Sequence, residues 1–160
     1  MKGRITLLGA SVILLFLIML GGCATGKYVA KPNEEIYGTW TNDQPPPAHS
    51  KTVNTQKEVI SADKNKLYYH ISDESPMSEG TEVITSKWID SDGNIWYKTL
   101  LAYTSGTANG IKYQVLYKLS KSATVLELEW SMVGDFDPSQ YPTKIDPKDS
   151  EYRILYRTEK

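Results

Sequence analysis

The chain has 160 residues, with 18 basic side chains, 19 acidic side chains, two histidines and one cysteine. Removing the first 22 residues, which include Lys2 and Arg4, leaves 138 residues with 16 basic and 19 acidic side chains, a net charge near −3. That length supports one domain with its own core, not two of ordinary size. Because the charge is slightly negative, we expect neither nucleic acid nor an anionic membrane surface as a partner.

The first 22 residues have the order of a secretory signal: basic residues, an apolar run over 5–20, then small residues. The run has about 16 residues, fewer than the roughly 20 that a bilayer core requires, which argues against an uncleaved transmembrane anchor. It ends in Leu20-Gly21-Gly22-Cys23, which resembles the bacterial lipobox. The resemblance implies that the signal (1–22) is cut off and that Cys23 carries a diacylglyceryl group.

Cys23 is the only cysteine, so it has no disulfide partner within the chain and its thiol is available for lipid. Because two or three acyl chains anchor a protein stably, we expect a membrane-anchored lipoprotein of the cell envelope. Ala24 stands where an aspartate marks inner-membrane retention in many Gram-negative bacteria, which favours the outer membrane in such an organism. Residues 23–34 show no apolar period and are predicted to be a solvated, lipidated tether.

From residue 35 to residue 160 the sequence predicts a single β domain. Apolar and polar residues alternate between turn signals, a period of two that indicates strands and no helix. Asp92-Gly93 and Asn109-Gly110 supply residues that tolerate positive φ in tight hairpin turns. Eight strands are predicted, at 35–42, 52–61, 66–72, 81–90, 94–104, 110–120, 124–133 and 151–158.

Eight strands joined by hairpins form an antiparallel up-and-down meander that can close into a barrel without exposed edges. An open β-sandwich is the alternative. The alternation predicts an inward aromatic set, which either lines a cavity for a small hydrophobic ligand or fills the barrel. The many bulky rings favour the filled barrel. This set comprises Tyr113, Tyr117, Trp130, Tyr152 and Tyr156.

The first strand contains Tyr37-Gly38-Thr39-Trp40, which resembles the Gly-x-Trp signature of lipocalins and related calycins. The resemblance implies an eight-stranded barrel whose closed end is plugged by Trp40. It also implies an arginine of the last strand packed across the tryptophan, for which both Arg157 and Arg153 stand at suitable positions. We expect Gly38, Trp40 and this arginine to be structural and not to contact a ligand.

No combination of residues in the chain predicts catalysis. His49 and His70 do not have the spacing of a zinc motif. The segment 90–94 contains three acidic or amide residues, but a calcium loop needs glycine sixth and glutamate twelfth, a pattern that Gly93 does not fit. We therefore expect no enzymatic activity, no catalytic residue, no metal and no cofactor.

Two functions remain open. In the first, a monomeric envelope lipoprotein acts on a protein partner of the envelope through its outer surface and loops. In the second, the barrel carries a small hydrophobic molecule. The expected filled barrel favours the first.

Overall fold

The computed structural model describes residues 28–42 and 56–158. Eight antiparallel strands form a closed barrel in chain order, with β1 paired to β8. This confirms the predicted all-β up-and-down barrel, the architecture of lipocalins, over the open sandwich. The predicted signal peptide (1–22) and Cys23 lie outside the described residues. The strands are β1 (Gly38–Thr41), β2 (Lys57–Ile60), β3 (Asn65–Tyr68), β4 (Ser78–Ile89), β5 (Ile95–Gly106), β6 (Lys112–Leu119), β7 (Val125–Val133) and β8 (Tyr152–Arg157).

The hairpin turns form where the sequence predicts them. Gly93 and Gly110 have φ values of 85° and 84°, conformations that favour glycine. In the β4–β5 turn the Asp90 carboxylate accepts hydrogen bonds from the amides of Asp92 and Asn94, at 3.0 and 2.9 Å. These local bonds fix the turn, so the long β4–β5 hairpin has a defined register.

The third strand is shorter than predicted, because the chain turns after Tyr68. The His70 amide donates to the Asp73 carboxylate at 2.9 Å, and the Asp73 amide donates to the His70 carbonyl at 3.2 Å. A side chain that bonds nearby backbone in this way competes with strand pairing. Residues 69–72 therefore form a turn, and the predicted extension of the strand to residue 72 is wrong. A single short 3-10 helix spans Pro138–Gln140, and within the described residues no helix is long and apolar enough to cross a membrane.

One end of the barrel is closed by a tryptophan and an arginine. Trp40 is fully buried, and its indole N–H donates to the carbonyl of Ile36 at 2.8 Å. The Arg157 guanidinium carbon lies 4.2 Å from the centre of the Trp40 ring, within the range of a cation–π contact. Arg153 instead donates to the Tyr152 carbonyl at the start of β8, so Arg157 is the arginine packed on the tryptophan.

The Arg157 guanidinium also connects three segments of backbone. It donates to the carbonyls of Ala123 at 2.7 Å, of Tyr37 at 3.0 Å and of Glu35. A Cβ atom on Gly38 would lie 2.6 Å from Arg157 Nη1. Glycine at this position therefore makes room for the guanidinium, which is a physical reason for the Gly-x-Trp spacing.

The segment before β1, predicted to be a solvated tether, is exposed at residues 29 and 31–33 but is held against the closed end through Tyr28 and Glu34. Glu34 is only 3% exposed, and Tyr28 packs against the core. The Glu34 carboxylate accepts hydrogen bonds from the Tyr28 hydroxyl at 2.5 Å and from Lys87 Nζ at 2.7 Å. Lys87 lies 53 residues further along the chain, so no local pattern indicates this contact.

We predict that Trp40→Ala destabilises the fold by about 3–5 kcal/mol, the usual cost of truncating a fully buried large side chain. Urea unfolding of the full-length protein in detergent measures the change. Trp88→Ala is the matched control, because Trp88 is 40% exposed on the outer wall and leaves no core cavity. Equal losses of stability in the two variants would contradict a structural plug at Trp40.

Candidate binding site

The predicted aromatic wall is present on strands β6 and β7. Tyr113, Tyr117 and Trp130 are buried in the core of the barrel. The Tyr113 ring lies 5.1 Å from the Trp130 ring and 6.1 Å from the Tyr103 ring, measured between ring centres. These rings pack on one another, as expected for a filled barrel.

Tyr152 and Tyr156 do not belong to this wall, and their assignment to the interior is corrected. Strand β8 buries Arg153 and Leu155, while Tyr156 is 44% exposed and the Tyr152 hydroxyl bonds to Glu127. Neighbouring residues in a strand point to opposite faces. Because Arg157 packs on Trp40, Tyr156 must point outward.

The interior also contains a polar cluster that the sequence did not reveal. Asn65 Nδ2 donates to Glu58 Oε1 at 2.5 Å and to Glu82 Oε2 at 2.7 Å. The Thr99 hydroxyl donates to Glu82 Oε1 at 2.6 Å, and the Tyr117 hydroxyl donates to Glu58 Oε1 at 3.2 Å. Consecutive strands β2 to β6 thus each contribute one residue. All five residues are at most 4% exposed, so the two carboxyl groups share one dry site.

Strand alternation places the cluster inside the barrel. Glu58 precedes buried Ile60 by two residues, and Glu82 precedes buried Ile84 by two. Val83, which lies between Glu82 and Ile84, is 50% exposed. The apolar residue therefore points to solvent and the acid points inward, the reverse of the ordinary pattern. A buried acid next to an exposed valine is visible in the sequence only if the register is already known.

Burial sets the protonation of the two acids. Burial, with repulsion from Glu82 as a further cause, raises the pKa of Glu58 to about 8. Burial likewise raises the pKa of Glu82. None of the ion pairs between described residues involves either carboxylate. The pair therefore retains a proton at neutral pH, since two ionised carboxylates without a cation repel each other in a dry site.

Three oxygen atoms of this site have no hydrogen-bond partner among the described residues. They are Glu58 Oε2, Asn65 Oδ1 and the Tyr103 hydroxyl, and Trp130 Nε1 nearby along the aromatic wall also lacks one. The charges of Glu58 and Glu82 help to raise the pKa of Tyr103 well above its usual value, which indicates that its hydroxyl lies in their field. Buried polar atoms are nearly always bonded, so these atoms are the part of the cluster that the described side chains leave unsatisfied.

The described residues contain no group of three or more histidine, cysteine, aspartate or glutamate side chains that could hold a metal ion. His70 lies exposed in the turn after β3, and His49 lies outside the described residues. The chemistry that the cluster offers is therefore the exchange of a proton and the acceptance of hydrogen bonds. No nucleophilic serine or cysteine is bonded to either acid among the described residues.

The loop between β7 and β8 forms a strap, residues 134–151, on the outer wall of the barrel. Gln114 Nε2 donates to the Asp137 carbonyl at 2.7 Å, and the Asp137 amide donates to Gln114 Oε1 at 3.1 Å. A groove of about 660 Å³ lies between the strap and two stacked tryptophans, Trp88 and Trp96, whose ring centres are 5.7 Å apart. Neither Glu58 nor Glu82 lines this groove, so it is separate from the buried acids.

No protein-family model matches the chain, and no curated protein or solved structure matches it either. Its function must therefore be argued from the geometry of these sites.

We predict that Glu58→Gln weakens the pH dependence of stability. The folded pKa of Glu58 is raised, so its stabilising contribution is complete below about pH 4.5 and is lost as the pH rises through about 8. The wild-type melting temperature should fall between pH 5 and pH 8. The melting temperature of the variant should fall less over this range and should equal or exceed that of the wild type at pH 8.

The control is Glu79→Gln, an acid on the outer face of β4 that makes only surface ion pairs. It should keep the wild-type pH profile. Thermal unfolding of the full-length proteins over this pH range checks the prediction. A Glu58→Gln profile parallel to that of the wild type would show that Glu58 is not the group that titrates.

Proposed function

We propose that this protein is a lipid-anchored envelope protein whose barrel binds a small polar ligand at the Glu58–Asn65–Glu82 cluster. One observation carries the proposal: two acids and three further polar side chains, from five consecutive strands, are buried together inside the barrel without a cation among the described residues. Burying two carboxyl groups in this way costs free energy, and a ligand with hydrogen-bond donors reduces that cost. A purely hydrophobic guest would leave it in place, so the ligand is polar at this end.

The position of the N-terminal segment supports a defined orientation on the membrane. Tyr28 packs at the closed end of the barrel, five residues after Cys23. Five extended residues reach at most about 17 Å. A lipid on Cys23 therefore keeps the closed end near the bilayer, and the opposite end of the barrel, at the start of β8, points away from it. A ligand then enters from the aqueous side.

Binding is favoured over catalysis because of how the acids are enclosed. The two acids are at most 4% exposed, and the contacting rings of Tyr103, Tyr113 and Trp130 fill the interior near the ends of β5 and β7. Substrate and product would have to pass these rings at every turnover. A ligand that stays bound passes them once.

A second candidate function is an interaction with an envelope protein through the outer surface. Phe136, at the start of the strap, is 53% exposed, and Trp88 in the groove is 40% exposed. Exposed apolar side chains of this size are typical of contact surfaces when they cluster. In this function a monomeric barrel serves as a rigid support.

Native mass spectrometry of the full-length protein, purified from its own envelope, tests ligand binding. The wild type should carry a stoichiometric small molecule, and Tyr103→Phe, which removes one acceptor and keeps the ring, should carry less. Glu79→Gln should carry as much as the wild type. If every preparation shows the mass of the lipidated polypeptide alone, ligand binding in the barrel is contradicted and the surface function takes its place.

We predict that Cys23→Ser abolishes fatty-acid incorporation and releases the protein from membranes, because Cys23 is the only thiol that can take lipid. Metabolic labelling with a fatty acid and membrane sedimentation measure the two effects. Ser61→Ala, a change at a hydroxyl of the β2–β3 turn, is the control and should remain labelled and membrane-bound. Labelled Cys23→Ser protein in the membrane pellet would refute the anchor.

A further inference from the structure

We propose that the groove between the strap and the two tryptophans binds a small amphipathic carboxylate, with the charge of the ligand at Lys98 and its apolar body on Trp88. This site is additional to the one proposed inside the barrel, since neither buried acid lines the groove. Its volume of about 660 Å³ lies within the range of small-molecule sites, roughly 300–1,000 Å³. Trp88 is 40% exposed, so a ligand can reach the groove without a change in the fold.

The strand register brings the groups of the groove together on one surface. Across β4 and β5, Ser86 is paired with Lys98 and Trp88 is paired with Trp96, and all four residues line the groove. Residues directly opposite each other share a face, with Cβ atoms about 4.5–5.5 Å apart. A polar pair and an aromatic pair therefore lie in adjacent rows, and Leu116 of β6 lies beside Lys98.

Lys98 supplies the charge that a ligand can use. Its Nζ lies 5.1 Å from the centre of the Tyr141 ring on the strap, and it makes no hydrogen bond or ion pair with a described residue. Lys118, on the same outer face, is instead paired with Glu127 at 3.0 Å. The groove thus presents one positive charge that no described carboxylate neutralises, which complements an anion.

The acid of the groove, Asp90, lies on the other side of the aromatic pair from Lys98. Its carboxylate accepts hydrogen bonds from the amides of Asp92 and Asn94, from the Asn94 side chain and from the Trp96 indole. A carboxylate has about four lone-pair sites, so these donors leave none for the ammonium group of a ligand. The negative charge of Asp90 also repels an anion from that side. The ligand is therefore a monoanion whose charged group lies at the Lys98 side.

Apolar side chains form the rest of the groove. The ring planes of Trp88 and Trp96 are 10° apart, and the indole N–H of Trp96 donates to Asp90 at 2.8 Å, so both rings are held in place. Leu116 and Pro142 line the groove on the β6 and strap sides. The carbon atoms of an amphipathic ligand would cover the exposed part of the Trp88 ring and contact these two residues.

A carboxylate fits the polar side of the groove better than other anions. It has one charge and two acceptor oxygens, one for Lys98 Nζ and one for the Ser86 hydroxyl, which also makes no hydrogen bond with a described residue. A phosphate-type group carries nearly two charges at neutral pH. A single lysine would leave part of that charge unneutralised beside apolar walls.

Tryptophan fluorescence of the full-length protein in detergent tests this inference, because Trp88 and Trp96 line the groove and report its occupancy. The probes are phenylpropionate, its neutral counterpart phenylpropanol, phenylpropylammonium and phenylethylphosphonate, with empty micelles as the blank. We expect phenylpropionate to bind about tenfold or more tightly than phenylpropanol, the effect of a charged hydrogen bond. The ammonium and phosphonate probes should bind more weakly than phenylpropionate. Added salt should reduce the advantage of the carboxylate, since the groove faces solvent.

Variants connect the binding to the named residues. Lys98→Gln should lower the affinity for phenylpropionate to that for phenylpropanol, and Lys98→Arg should keep most of the difference because it keeps the charge. Trp88→Ala should weaken the binding of both probes, with Trp96 as the remaining reporter. Lys112→Gln makes the same change of charge at a lysine outside the groove and should behave like the wild type. Glu58→Gln should also bind like the wild type, because Glu58 does not line the groove.

Several outcomes would overturn the inference. Phenylpropanol, the ammonium or the phosphonate binding as tightly as phenylpropionate would contradict a carboxylate site, and so would an unchanged affinity in Lys98→Gln. Loss of binding in Glu58→Gln would place the probe inside the barrel and not in the groove. If no probe changes the fluorescence, the groove inference fails alone, because native mass spectrometry tests the buried site separately.

Discussion

The contact between Arg157 and Trp40 lies at the seam where the barrel closes. Strand β1 has four residues, and it pairs with β8 through only two register pairs, Trp40 with Arg157 and Thr41 with Tyr156. So short a ladder needs side-chain support. The Arg157 guanidinium supplies it by packing on the indole and by bonding to carbonyls before β1 and in the β6–β7 turn. Closure then removes both sheet edges.

A closed barrel also determines the chemistry of its interior, because it fixes the direction of every side chain and lowers the local polarity. Two carboxyl groups in such a place cost free energy unless they are bonded or protonated. Asn65, Thr99 and Tyr117 offset part of that cost for Glu58 and Glu82, and a retained proton offsets more. The remaining unpartnered oxygens are the part that the barrel does not satisfy by itself.

Features set by short stretches of sequence were predictable, and features set by contacts across the barrel were not. Alternation and turn residues located all eight strands, and Gly38-Thr39-Trp40 indicated the plug. The acid pair was missed because its members lie on different strands, and each looks like an ordinary surface glutamate. The error at Tyr156 has a related cause: the aromatic character of Tyr156 was weighed more heavily than the inward position of its neighbour Arg157. Two adjacent strand residues cannot both face the interior.

The strap between β7 and β8 lies on the outer wall of the barrel, away from the buried acids. Its hydrogen bonds are made to the outer wall. The Gln114 side-chain amide bonds both the backbone N–H and the backbone carbonyl of Asp137, and the Tyr141 hydroxyl lies 2.9 Å from the Thr85 hydroxyl. Glu129, another outward position, is covered as well, and burial raises its pKa to about 7. The strap therefore shields outward side chains of the barrel wall from solvent, whereas the buried acids are enclosed by the strands themselves.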